Sequence, residues 1–194
     1  MISMDEDEAK KWKQMLLLNF AVLGQDPGSW LNQAQLLKTA ADEVSKQVKI
    51  GADAITAQIG WVDPVYRYLA GITIENLLKG IIIADHPEFI REDAMVEWLT
   101  DHQIWTKHAD QLKIIKLILT KEEENLLRVL EHYVMWVGRY PIAETAEAYA
   151  EDQLDILRLN LPAGFAATFD ALYNKLSQKL GEQYGDFDKK RAGT

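Results

Sequence analysis

Cysteine is absent from the 194 residues. That excludes disulfides, thiolate zinc sites and cysteine nucleophiles, and it fits a reducing compartment. Long apolar runs are missing too, since nothing approaches the roughly 20 residues that cross a bilayer. The first residues, MISMDEDEAKKWK, are acidic where a secretory leader is basic. The expected location is therefore cytoplasmic, with no membrane partner. Positive charge is scarce: 21 Lys and Arg stand against 30 Asp and Glu, a net charge of −9. Such a balance opposes strong non-specific binding to nucleic acid, which depends on cations neutralising phosphates. Period-two alternation bounded by turn pairs is found nowhere, and there is no internal repeat.

What the chain does have is helical periodicity, and the fold class it implies is all-α. A hydrophobic content of 48% over this length suits one sizeable core and a single domain. The organising stretch is Tyr68–Ile83, where Ala70, Ile74, Leu77, Leu78 and Ile81 form one apolar arc. Leu69, Ile72, Ile82 and Ile83 cover most of the remainder, so this helix belongs in the middle of the fold. Asp63-Pro64 reads as its cap and first position, and Asp85-His86-Pro87 as its stop. Before it lie two helices. The first opens on Asp5, Glu6, Asp7 and Glu8 and runs into Met15–Leu23. The second is capped by Ser29 and continues toward Trp61.

After the central helix, Glu92–Thr100 reads as a short helix, and 101–119 as the approach to and start of another. Thr120-Lys121-Glu122-Glu123 matches a capping box and launches a helix through Leu126, Leu130 and Val134 that ends at Gly138-Arg139-Tyr140-Pro141. Ala143–Leu159 reads as partly helical. Leu161-Pro162 starts a last helix carrying Phe165, Phe169, Leu172, Leu176 and Leu180, with a frayed tail over 181–194. Gly71 and Gly80, inside the central helix, mark close packing.

Common catalytic and metal signatures fail on inspection. A di-iron Glu-x-x-His needs glutamate three before a histidine, but Ile83, Leu99, Trp105 and Val129 occupy those positions. Neither a G-x-S-x-G elbow nor a phosphate-cradling glycine loop is present. No metal and no cofactor is expected. His102, His108, Asp101 and Asp110 gather in one stretch, but the six-residue step between the histidines places them on different helical faces, which favours structural roles. Glu75 and Lys79 stand in the order that favours an intrahelical pair, read here as a pair at the rim of the bundle.

The order of these landmarks resembles the HEPN superfamily. Ile74-Glu75-Asn76-Leu77-Leu78-Lys79 is similar to its E-x-x-LK helix, and Lys107-His108 followed by Leu112 to its H-D-L segment. Thr120–Leu127 running into Trp136-Val137-Gly138-Arg139-Tyr140-Pro141 resembles bacterial HEPN-like proteins with a W-x-GRYP sequence. The likeness covers roughly residues 60 to 180. It implies an antiparallel, up-and-down bundle over about 61–180, with 1–60 as an N-terminal helical addition, and a homodimer.

The family's ribonucleases place four to six residues between an arginine and the histidine that follows it. Arg128 and His132 have only three between them, so ribonuclease activity is not carried over. The leading expectation is a non-catalytic module that binds a partner protein, a nucleotide or RNA. The alternatives are a divergent ribonuclease using Arg128, His132 and Arg139, and a structural oligomer. The candidate binding residues are Arg139, Tyr140, Glu75, Lys79 and His108. Arg139, at a helix end, can satisfy carbonyls, pair with Glu75, or contact phosphate beside Tyr140 and Lys79.

Overall fold

The computed structural model describes residues 5–52, 59–91, 94–137 and 164–192, and they are helical throughout apart from their connections. The helices are α1 (Glu6–Gln25), α2 (Pro27–Ala52), α3 (Ile59–Asp85), the single turns α4 (Glu97–Thr100) and α5 (Ala109–Leu112), α6 (Lys121–His132) and α7 (Phe165–Ala192). Short 3-10 turns follow α3 and α5, and a π-helical turn, Tyr133–Val137, continues α6. Extended pairing among the described residues is limited to one isolated bridge between Ile90 and Met95.

α3 is the central element. Ala70, Leu77, Ile81, Ile82 and Ile83 have no exposed surface, because α2 and α7 flank the helix and the α6 end closes on it. From α7, Phe169, Leu172, Leu176 and Leu180 are wholly buried, and from α2 so are Ala34 and Ala41. Two glycines permit this closeness. A β-carbon at Gly71 would lie 2.4 Å from Val134 Cγ2 and 2.9 Å from the Leu130 carbonyl oxygen. One at Gly80 would meet Leu180 Cδ2 at 2.7 Å and Trp30 Cβ at 2.8 Å.

Caps and ion pairs fix the element ends. The capping box forms: Glu123 N–H donates to Thr120 Oγ1 at 3.2 Å and Thr120 N–H to Glu123 Oε2 at 2.8 Å. The same carboxylate accepts from Lys175 Nζ of α7 at 2.8 Å. Arg67 of α3 lies between the rings of Tyr133 and Phe165, 5.2 and 5.1 Å from their centroids. Its Nε is 2.7 Å from Asp63 Oδ2, in the geometry of an ion pair rather than an aligned hydrogen bond.

Several boundaries differ from the sequence reading. Asp63-Pro64 does not start α3. The helix begins at Ile59 and contains Pro64, and Asp63 is engaged by Arg67 one turn on. Ser29 is not the cap of α2. Asp26 accepts from the N–H groups of Gly28 and Ser29, with Pro27 opening the helix, the placement in which a missing proline donor costs nothing. Of the helix read over Glu92–Thr100, the described residues 94–96 are not helical and α4 covers Glu97–Thr100. The 101–119 segment is mostly turns, interrupted at Lys116, whose φ of 46° is left-handed. Residues 181–192 are not frayed from α7, which runs on to Ala192. The stretches read as 143–159 and 161–162 lie outside the described residues. No helix among the described residues is long and apolar enough to cross a membrane.

Candidate functional site

Three carboxylates on or beside the central helices gather the irregular segment between α4 and α5. Glu75, on α3, accepts Lys79 Nζ at 2.6 Å and the His102 Nδ1 at 3.0 Å from each of its oxygens. The Lys79 and Glu75 side chains are 8% and 11% exposed. The pair is thus inside the packing, not at its rim, and His102 is the additional member. Glu131, on α6, accepts the backbone N–H of Trp105 at 2.7 Å and that of Thr106 at 3.2 Å. Burial pushes its pKa up. The Thr106 side chain first, then the N–H groups of Thr106 and Trp105, oppose that shift, and Asp101 nearby adds to it. Asp101 accepts from Lys107 at 2.7 Å, from Gln103 N–H at 3.0 Å and lies 3.2 Å from His108 Nε2. The Lys107 bond first, then Gln103 and His108, hold its carboxyl well below the usual range.

Between these groups is a cavity of about 20 Å³, with Glu75, His102, Trp105 and Glu131 around an apolar wall of Gly71, Ile74 and Leu130. It has room for about one water molecule. A second, larger space, a polar cleft of about 510 Å³, lies on the other side of α3 between α2 and α7. Two lysines line it: Lys46, paired with Glu43, and the half-buried Lys38, which bonds Asp42 at 2.6 Å and Asp170 at 3.0 Å. The same ammonium sits 5.3 and 5.4 Å from the Phe169 and Tyr173 ring centroids. Burial lowers the Lys38 pKa, and the bonds to Asp42 and Asp170 outweigh it, so the net direction is upward. Tyr66 at the cleft floor is pushed up to about 12, first by burial and then by Asp170 and Asp42.

No family model, no curated protein and no solved structure matches the chain.

Of the five sequence candidates, Glu75 and Lys79 come together, and Glu75 borders the small cavity. His108 is drawn to Asp101 and lies against Trp98, with ring centroids 5.9 Å apart. Arg139 and Tyr140 lie outside the described residues; among the described residues the Lys79 ammonium and the His102 imidazole meet Glu75. Each of the two histidines has its own carboxylate, so they do not converge on a shared ion. Sequence reasoning missed Glu131. Its signal was available: it stands four after Leu127 and three before Val134, an acid on the buried stripe of α6.

Chemically, a glutamate hydrogen-bonded to an imidazole can orient a general base. Among the described residues these acid and base groups border space for about one water, and both lysines of the spacious cleft are paired with carboxylates.

Proposed function

We propose that this protein is a non-catalytic, HEPN-like helical module that acts by binding a partner protein. What supports the reading is the separation of chemistry from volume. Glu75, His102 and Glu131 enclose about 20 Å³, whereas the cleft of about 510 Å³ offers no cation that is not already engaged. Substrate-sized ligands need both in one place, in pockets of roughly 300–1,000 Å³. Lys79, the cation nearest the small cavity, is neutralised by Glu75 and held under cover, which makes it a poor phosphate contact.

Purified protein incubated with tRNA and with mRNA tests this directly. The expected result is intact RNA and no thermal stabilisation by nucleotides. Cleavage that Arg128→Ala or His132→Ala abolishes would instead establish a divergent ribonuclease.

A further inference from the structure

The cleft between α2 and α7 is lined by a buried polar group that the fold leaves unused. Tyr66 is only 6% exposed, and its ring is set edge-on to Phe165 and Phe169, with centroids 5.7 and 6.2 Å away. Those two contacts fix the ring. Yet the Tyr66 hydroxyl has no hydrogen-bond partner among the described residues. A buried hydroxyl nearly always has one, so this one is left for a group that enters from the cleft.

The neighbours select the charge of that group. Lys38 shows how the cleft receives an ammonium, with a carboxylate on either side and the rings of Phe169 and Tyr173 beneath it. Two carboxylates against one ammonium leave Asp42, Lys38 and Asp170 with a net charge of −1, and Asp42 and Asp170 are still 47% and 54% exposed. Lys46 adds no excess positive charge, because Glu43 pairs with it. An anion would therefore meet net repulsion. A cation meets attraction, and Tyr66, kept protonated by burial and then by Asp170 and Asp42, offers an oxygen lone pair to its N–H. The volume of about 510 Å³ falls in the range of roughly 300–1,000 Å³ that suits small molecules.

We propose that this cleft is a binding site for a primary aliphatic amine, its ammonium held by Asp170 and the Tyr66 hydroxyl and its hydrocarbon chain lying against Tyr173. Such a site goes beyond the partner-protein reading and does not depend on it, since the amine is bound and not converted. Lys38 is then a built-in competitor. It shares Asp170 with the ligand and repels it, so its removal should strengthen binding.

Calorimetric titration of the full chain with cadaverine at constant ionic strength is expected to show one saturable site. Tyr66→Phe should weaken binding roughly 2–10-fold and leave the melting temperature unchanged, because its hydroxyl has no partner to lose. Asp170→Asn should weaken it roughly tenfold or more, and Lys38→Met should tighten it roughly fivefold or more. Circular dichroism confirms that each variant is folded. The same ammonium can come from a free amine or from a lysine side chain of a partner, and a blocked Gly-Lys-Gly peptide separates the two. Peptide binding as tight as that of cadaverine assigns the site to a partner's lysine, and weaker binding assigns it to a free amine. Tetramethylammonium, which has no N–H to donate, should bind far more weakly. Absence of saturable binding at millimolar cadaverine overturns the site, as does tetramethylammonium binding equally well. So does a Tyr66→Phe variant that melts lower while binding as wild type, which would make the hydroxyl a structural group.

Discussion

Replacing Gly71 by alanine tests the claim that α3 and the end of α6 approach as closely as a glycine allows. Two opposing effects can be sized. Alanine is favoured over glycine inside a helix by about 1 kcal/mol. Against that, the new methyl would stand 2.4 Å from Val134 Cγ2 and 2.9 Å from the Leu130 carbonyl oxygen. Val134 is β-branched and in the π-helical turn, so its rotamer has little freedom. The carbonyl is backbone and moves only with its helix. Overpacking of this kind costs about 1–3 kcal/mol, and with two contacts this short the upper half of that range applies. The net expectation is a loss of about 1–2 kcal/mol, or a fall of roughly 2–8 °C in melting temperature for a chain of this size. Gly181→Ala and Gly185→Ala are the controls, because a β-carbon at either meets nothing within 4 Å and both lie within α7. They should raise stability by about 0.5–1 kcal/mol each. Thermal denaturation of all three variants decides the matter: Gly71→Ala melting at or above wild type would refute the close-approach account.

Glu131→Gln should gain stability relative to wild type as pH rises from about 4 to 7. The raised pKa of Glu131 means that its contribution is complete below the unfolded carboxylate value of about 4.3 and is lost as it ionises. Urea titrations across that range check this, and a variant that loses stability relative to wild type as pH rises would contradict it. Asp101→Asn should behave oppositely, lowering the melting temperature at neutral pH and losing its effect as pH falls below about 3.9. Its depressed pKa confers stability only while the group is ionised. Glu123→Ala removes the side-chain half of the capping box, the bond from Thr120 N–H, and the Lys175 contact and should cost about 2 kcal/mol, while Lys175→Ala should cost about 1. Equal losses in denaturant would show that the cap contributes nothing.

The parts of the fold legible in the sequence are those where one strong periodicity or one local device decides. Tyr68–Ile83 is apolar on nearly every face and is the buried helix. Thr120 and Glu123 satisfy each other's backbone wherever the helix sits, and Phe169, Leu172, Leu176 and Leu180 point inward as their spacing requires. Legibility fails where a distant group overrides local preference. Asp63 looked like a cap because the local sequence does not reveal that Tyr133 and Phe165, far along the chain, would brace Arg67 where it engages Asp63 one turn away. Segment 101–119 has the composition of a helix. Asp101 and Glu131, however, take up the N–H groups of Gln103, Trp105 and Thr106, in competition with helical hydrogen bonding. The site was half visible for the same reason. Glu75 and Lys79 are one turn apart on a single helix, whereas His102 reaches Glu75 from 27 residues away.

The bonds from Trp105 and Thr106 to Glu131 give this turn an unusual signature in amide hydrogen exchange. Backbone N–H groups in turns ordinarily exchange at the rate of local fraying. These two point at a carboxylate on a buried face of α6, so releasing them requires α6 to lift away. Their exchange should track the amides of Leu127 and Leu130, slow together with them and quicken together in denaturant, while the neighbouring Lys107 amide follows its own faster course.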